Sequence, residues 1–142
     1  MSYQQMRSIK NRQFVRLHMT QGLMGELQLV EVKGQPLQSK RRKVMIKQIG
    51  PEGMVVVAAL DFPITLQYVV AIDVELMSCS HKLTGQIIWK QPCDQWFEYG
   101  IVFILPPSAK RALIYSLNHI LLKQSPRQAR IHTMYRQMTA YD

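Results

Sequence analysis

The chain is 142 residues long and poor in the features that most visibly carry chemistry. It has two cysteines, Cys79 and Cys93. Two are too few for a disulfide framework, so both are expected as reduced thiols of a cytoplasmic protein, with no metal role. The four histidines, His18, His81, His119 and His132, are scattered. None forms a His-x-His or His-Glu-x-x-His pair, and neither a Gly-x-Ser-x-Gly elbow nor a Walker loop is present. Asp73 and Glu75 alternate with an apolar phase and read as a solvated strand face rather than a working carboxylate pair. With no nucleophile–base pair and no metal cluster, nothing marks an enzyme. Long apolar runs are missing too. The longest, residues 54–60, falls far short of the ~18 residues a bilayer span needs. The first twelve residues are polar and basic, unlike a secretory signal.

Apolar residues make up 47% of the chain, enough for a packed core, and the length suits one domain. The net charge of +9 is unevenly spread. Residues 1–50 carry ten basic and two acidic side chains, residues 51–107 two and six, and residues 108–142 six and one. A basic first third and a basic tail around a mildly acidic middle point to a polyanionic partner: a nucleotide, a nucleic acid or a membrane surface.

Period-two alternation dominates the middle of the chain. Leu27, Leu29, Val30 and Val32 change phase at Leu29-Val30, which predicts a bulge. Val44 and Ile46 oppose Lys43 and Lys47. Residues 54–60 form a continuous apolar strand buried on both faces. Three further alternating runs follow: Val70, Ile72, Val74 and Leu76; Leu83, Gly85, Ile87 and Trp89; and Phe97, Tyr99, Ile101, Phe103 and Leu105. Turns are expected at Lys33-Gly34-Gln35-Pro36, at Ile49-Gly50-Pro51-Glu52-Gly53 and at Asp61-Phe62-Pro63. Such a series predicts a mostly β protein, a small six- to seven-stranded antiparallel barrel. After Pro106-Pro107 the period changes. Ser108 is a candidate N-cap, and Ala109, Ala112, Leu113, Ser116, Leu117, Ile120 and Leu121 share one helical face. Pro126 ends this C-terminal helix. Residues 1–11 read as a flexible basic arm and residues 123–142 as a basic tail.

Two local features suggest a binding function. Arg12 and Arg16 lie four residues apart where the arm meets the first strand, with Arg7 and Lys10 as supporting charge. Forked guanidinium donors match phosphate oxygens and the O6/N7 edge of guanine. The second feature is the bend Gln48-Ile49-Gly50-Pro51-Glu52-Gly53, where glycine permits close backbone approach to a ligand.

Together these features resemble a PilZ domain, a small β-barrel with a C-terminal helix. Many such domains bind the bacterial second messenger cyclic di-GMP through Arg-x-x-x-Arg and a later Asp/Asn-x-Ser-x-x-Gly. Arg12 and Arg16 match the first element, and Gly53 matches the last residue of the second. The resemblance spans residues 12–122. Gln48 stands where the family has Asp or Asn, and Gly50 where it has Ser. Losing one hydroxyl hydrogen bond weakens binding about two- to tenfold without abolishing it. The resemblance therefore implies a signalling receptor that binds cyclic di-GMP through Arg12, Arg16, Gln48, Gly50 and Gly53. The arm orders on binding and relays the signal to a protein partner, with no other cofactor. The alternatives are an adaptor that binds protein but no nucleotide and, further off, a nucleic-acid-binding barrel. The latter expects aromatics on an exposed strand face, whereas Trp89, Phe97, Tyr99 and Phe103 share the apolar phases.

Overall fold

The computed structural model describes residues 17–64 and 67–124. They form seven strands and one helix: β1 Leu17–Val32, β2 Gln35–Pro36, β3 Arg42–Ile49, β4 Gly53–Ala58, β5 Tyr68–Leu76, β6 Cys79–Cys93, β7 Trp96–Phe103 and α1 Pro107–Gln124. The sheet order β2-β1-β3-β4-β7-β6-β5 closes through an added β1–β5 pairing. Six antiparallel strands thus make a barrel, and the two-residue β2 is an extra strip on β1. The expected fold class is the observed one.

β1 closes the barrel because one long strand serves two edges. Its first half pairs with β3 and its second half with β5. The changeover is at Gly25, opposite both Val44 and Val74. A Cβ there would sit 3.1 Å from the Asp73 carbonyl oxygen and 3.2 Å from Ile46 Cδ1, so this crowded seam suits glycine. The expected irregularity at Leu29-Val30 is the register shift between Leu29 and Glu31 against β5. Lys33 and Gly34, with φ of 50° and 79°, make the tight turn into β2.

The barrel interior is filled by Leu27, Val44, Ile46, Ile49, Met54, Val56, Val70, Ile72, Leu76, Leu83, Ile87, Tyr99 and Ile101. All six residues of β4 are buried, but the strand expected over residues 54–60 ends at Ala58, and Ala59 is exposed. The Tyr99 hydroxyl donates to the Leu60 carbonyl at 2.5 Å and accepts the Phe62 N–H at 2.7 Å. The core thereby pins the loop after β4, where the expected turn at residues 61–63 falls.

α1 caps the barrel end formed by the β5–β6 turn, the β3–β4 turn and the end of β7. Leu113, Leu117, Ile120 and Leu121 are buried against the core on helical spacing, each contributing about 1.5–3 kcal/mol in transfer free energy. The helix begins at Pro107, whose missing N–H costs nothing in a first turn. Ser108 therefore lies inside the first turn rather than capping it. The helix also runs two residues past the expected domain edge at residue 122. The arm, residues 1–11, and most of the tail lie outside the described residues, as does Pro126.

One polar contact is buried under the helix. A His81 Nε2 on β6 lies 2.9 Å from Ser116 Oγ on α1, and both residues are buried. Burial lowers the His81 pKa below its ordinary 6.5, because the charged ring would lose its hydration. A basic group with a depressed folded-state pKa protects stability above its unfolded pKa. That stability is lost as pH falls below about 6.5 towards the folded value. Denaturant midpoints measured between pH 7.5 and 5 should therefore fall more steeply for the wild type than for His81→Gln. Parallel slopes would show that this ring does not couple helix docking to protons.

Candidate functional site

The hairpin between β3 and β4 carries three of the expected site residues. Gly50 N–H donates to the Gly53 carbonyl at 2.9 Å and closes a two-residue bend at Pro51-Glu52. Gly50, Pro51 and Gly53 are buried. Positive φ among the described glycines occurs at Gly22 and Gly34, so the backbone at Gly50 and Gly53 does not itself require glycine. The bend is clamped from behind. The Phe103 N–H donates to the Glu52 carbonyl at 2.9 Å, and Lys110 Nζ on α1 donates to Glu52 Oε1 at 2.7 Å. Both side chains of that pair are substantially exposed, so it orients the turn more than it stabilises it.

Gln48 reaches the outer surface because β3 contains a bulge. Ile46 pairs with Val56 and Ile49 with Met54, all core residues, although Ile46 and Ile49 are an odd number of positions apart. The register shift between Ile46 and Gln48 absorbs the extra residue, Lys47. Gln48 consequently faces outward, opposite Val55, which belongs to a separate outer cluster.

A second bulge does the same on β6. The register shifts between Ile87 and Trp89. Ile87 stays in the barrel interior, opposite Ile101, while Trp89 is delivered to the outer face opposite Gly100. Trp89 is buried, but beside Val55, Ile88 and Val102 rather than in the main core. Its assignment to the interior phase is corrected on that point. Tyr99 is interior as expected, and Phe97 and Phe103 pack partly buried on the core.

The two bulges generate one cross-strand row on the outer wall: Gln48 on β3, Val55 on β4, Gly100 on β7 and Trp89 on β6, with the β1 backbone at His18 paired to Gln48. Gly100 permits the row, because a Cβ there would overlap the Trp89 indole ring. One step along, Lys47 Nζ donates to Glu98 Oε2 at 3.0 Å across the outer side of β4. Hydrogen bonding and charge attraction from the nearly buried Glu98 raise the Lys47 pKa. The wall is therefore apolar and flat at its centre, with an amide on one side and a neutralised ion pair below.

The arginines expected to face this wall, Arg12 and Arg16, lie outside the described residues, as do Arg7 and Lys10. The described chain begins with Leu17 opposite Ile49 and His18 opposite Gln48. The outward placement of Trp89 and the Lys47–Glu98 pair were not expected from the sequence, since an unbroken period-two reading of residues 43–49 and 83–89 carries no bulge.

Elsewhere, an open groove of about 610 Å³ lies over the β1–β5 seam, lined by Glu26, Arg41, Asp73 and Lys82 among others. Arg41 is there paired with Asp73 at 3.2 Å and Glu26 at 3.7 Å. The arginine of this groove is already neutralised, so the outer row is the better candidate. Cys79 and Cys93 are free and lie at opposite ends of β6. Among the described residues no cluster of His, Cys, Asp and Glu suits a metal, and no helix is long and apolar enough to cross a membrane.

Known structures share this architecture. The chain is similar to the inhibitor of motility MotI/DgrA of Bacillus subtilis, with a TM-score of 0.53 and 16% identity over 80% of this chain and 52% of that one. It thus spans about half the length of that protein. It is also similar to the PilZ domain of YcgR from Escherichia coli, solved with c-di-GMP, with a TM-score of 0.52 and 13% identity over 82% of this chain and 98% of that one. No protein-family profile matches the chain, and no curated protein matches it by sequence. The chain has a PilZ-type fold: the six-stranded barrel and closing helix are those of the expected class.

The indole–glycine contact is directly testable. In a Trp96→Phe background, where Trp89 is the sole tryptophan, Gly100→Ala should expel the ring from its seat. Trp89 emission should shift to the red and stability should fall by about 1–3 kcal/mol. Unchanged emission would mean that the indole does not rest on Gly100.

Proposed function

We propose that this domain is a receptor for cyclic di-GMP. Arg12 and Arg16 clamp the two phosphates and a guanine edge against the outer wall beside Gln48 and the Gly50–Gly53 hairpin. Arg7 and Lys10 steer the anion inward. Gln48 offers an amide donor and acceptor to the base edge. Ordering of the arm on binding then alters the surface shown to a protein partner.

The observation that carries this reading is the pairing of Leu17 with Ile49 and of His18 with Gln48. Arg16 is covalently next to Leu17. Arg12 lies five residues upstream of Leu17, so its backbone reaches at most about 18 Å from it. Both guanidinium groups can therefore reach the hairpin when the arm folds back over it. The fold shared with a PilZ domain solved with c-di-GMP supports the same ligand class. The receptor reading assigns the domain binding and relay, with no chemical step.

Calorimetric titration with cyclic di-GMP tests it. The wild type should bind, and Arg12→Ala/Arg16→Ala should lose more than about 100-fold, because each charge-assisted contact is worth about 1.5–3 kcal/mol. A silent wild type would transfer the case to the adaptor that binds protein without nucleotide. Gly50→Ser restores the family's hydroxyl and meets no left-handed backbone. It should tighten binding about two- to tenfold; unchanged or weaker binding would show that Gly50 does not stand where the family has its Ser.

A further inference from the structure

The barrel end opposite α1 and the candidate site has a different chemistry. β3 starts there at Arg42 and ends at the hairpin, so its eight residues separate the two regions by roughly 25 Å. The mouth holds a depression of about 200 Å³, floored by Leu27, Leu29, Leu60 and Phe62 and rimmed by Ser39, Lys40 and Arg42. Small-molecule pockets run from about 300 to 1,000 Å³, so this one is too small for a nucleotide. It has room for a short stretch of hydrocarbon.

Its rim carries two cations and no acid. Lys40 and Arg42 are exposed, and neither forms an ion pair among the described residues. Arg41 between them turns to the other side and is consumed by Glu26 and Asp73. Alternation along the chain thus sorts the basic run 40–43, leaving two uncompensated charges at the mouth. The walls are held rigid. The Ser39 hydroxyl accepts the Leu29 N–H at 2.9 Å, and Tyr99 pins the Leu60–Phe62 side. Two residues beyond Phe62, Ile64 stands 45% exposed on the same loop. Lys33, also exposed, adjoins the far end of that loop through its N–H to the Gln67 carbonyl at 3.2 Å.

Unpaired cations around an apolar floor, with an exposed isoleucine alongside, match a surface that is anionic outside and hydrocarbon beneath. We infer that this mouth docks on an anionic phospholipid bilayer: Lys40, Arg42 and Lys33 meet headgroup phosphates, while Ile64 and the half-buried Leu29 and Phe62 of the depression meet the upper acyl region. Docking this end leaves the outer wall and the α1 end in water. The inference is independent of the cyclic di-GMP reading.

The full chain is tested by co-sedimentation with vesicles of phosphatidylglycerol mixed into phosphatidylcholine, against phosphatidylcholine alone. Binding should need the anionic lipid and weaken as salt shortens the Debye length to a few Å. Each cation near such a surface contributes about fivefold in affinity, so Lys40→Glu/Arg42→Glu should weaken binding by at least about 25-fold. Ile64→Asp should weaken it at unchanged basic charge. Lys82→Glu/Lys123→Glu changes the net charge equally but away from the mouth, and should cost less than about threefold. Equal losses for the two double variants would overturn the inference, since attraction would then be a property of net charge. So would failure to bind anionic vesicles, or full competition by soluble glycerol phosphate, which would make the mouth a site for a free anion. Unchanged thermal unfolding of these surface variants keeps the comparison clean.

Discussion

One extra residue in a β-strand reverses the face of every side chain after it, and the outer wall of this barrel depends on two such reversals. Without the bulge at Lys47, Ile46 and Ile49 could not both lie in the core, and Gln48 would point inward. Without the shift between Ile87 and Trp89, the indole would compete with Ile87 and Ile101 for interior volume. A close-packed interior does not absorb a tryptophan at a position sized for an isoleucine. The two bulges thus relieve the core and furnish the wall in a single step, and both lie in the same cross-strand row. The fully buried β4 follows from this arrangement: its inner residues face the core, while Val55 is covered on the outside by the strip that includes Trp89.

The same end of the barrel gathers its polar couplings. Glu52 joins the hairpin to α1 through Lys110 and to β7 through its carbonyl. His81 joins β6 to α1 through Ser116 beneath the helix. Lys47 and Glu98 tie β3 to β7 across β4. The exposed pair is worth little energetically, whereas the contacts to buried His81 and Glu98 matter because an unpaired buried polar group costs about 1–3 kcal/mol. The hairpin and the N-terminal turn of the helix are thus joined directly through Glu52 and Lys110.

Much of the barrel was legible because period-two patterning is a direct image of a sheet with one buried face. β3, β5 and β7 appear in the alternation of Val44 and Ile46, of Val70 to Leu76, and of Phe97 to Phe103. The turn at Lys33-Gly34 was legible from its glycine. The bulge at Leu29-Val30 was legible because two adjacent apolar residues straddle it. The other two bulges were not. Lys47 fits the local alternation, and Ile88 sits as a single apolar residue in the polar phase between Gln86 and Lys90. Ser108 misled for a related reason: a cap residue is chosen by local hydrogen bonding, yet proline already satisfies a first turn by lacking the donor. His81 carried no local sign either, since its partner is 35 positions away.

The two ends of the barrel answer the charge asymmetry differently. In the described core, basic side chains are not spread evenly but divided by strand alternation into neutralised and free sets. Arg41, Lys47, Lys90 and Lys110 all have carboxylate partners. Lys40 and Arg42 have none among the described residues. Lys43, Lys82, Arg111 and Lys123 likewise have no carboxylate partner among the described residues, so what distinguishes Lys40 and Arg42 is the apolar depression they flank. Desolvation explains the pairing at Lys47, where Glu98 is nearly buried and would be costly alone. No comparable pressure acts at the open mouth. Exposed hydrocarbon flanked by hydrated cations does nothing for the fold, and an anionic, partly apolar surface is the kind of partner that matches both.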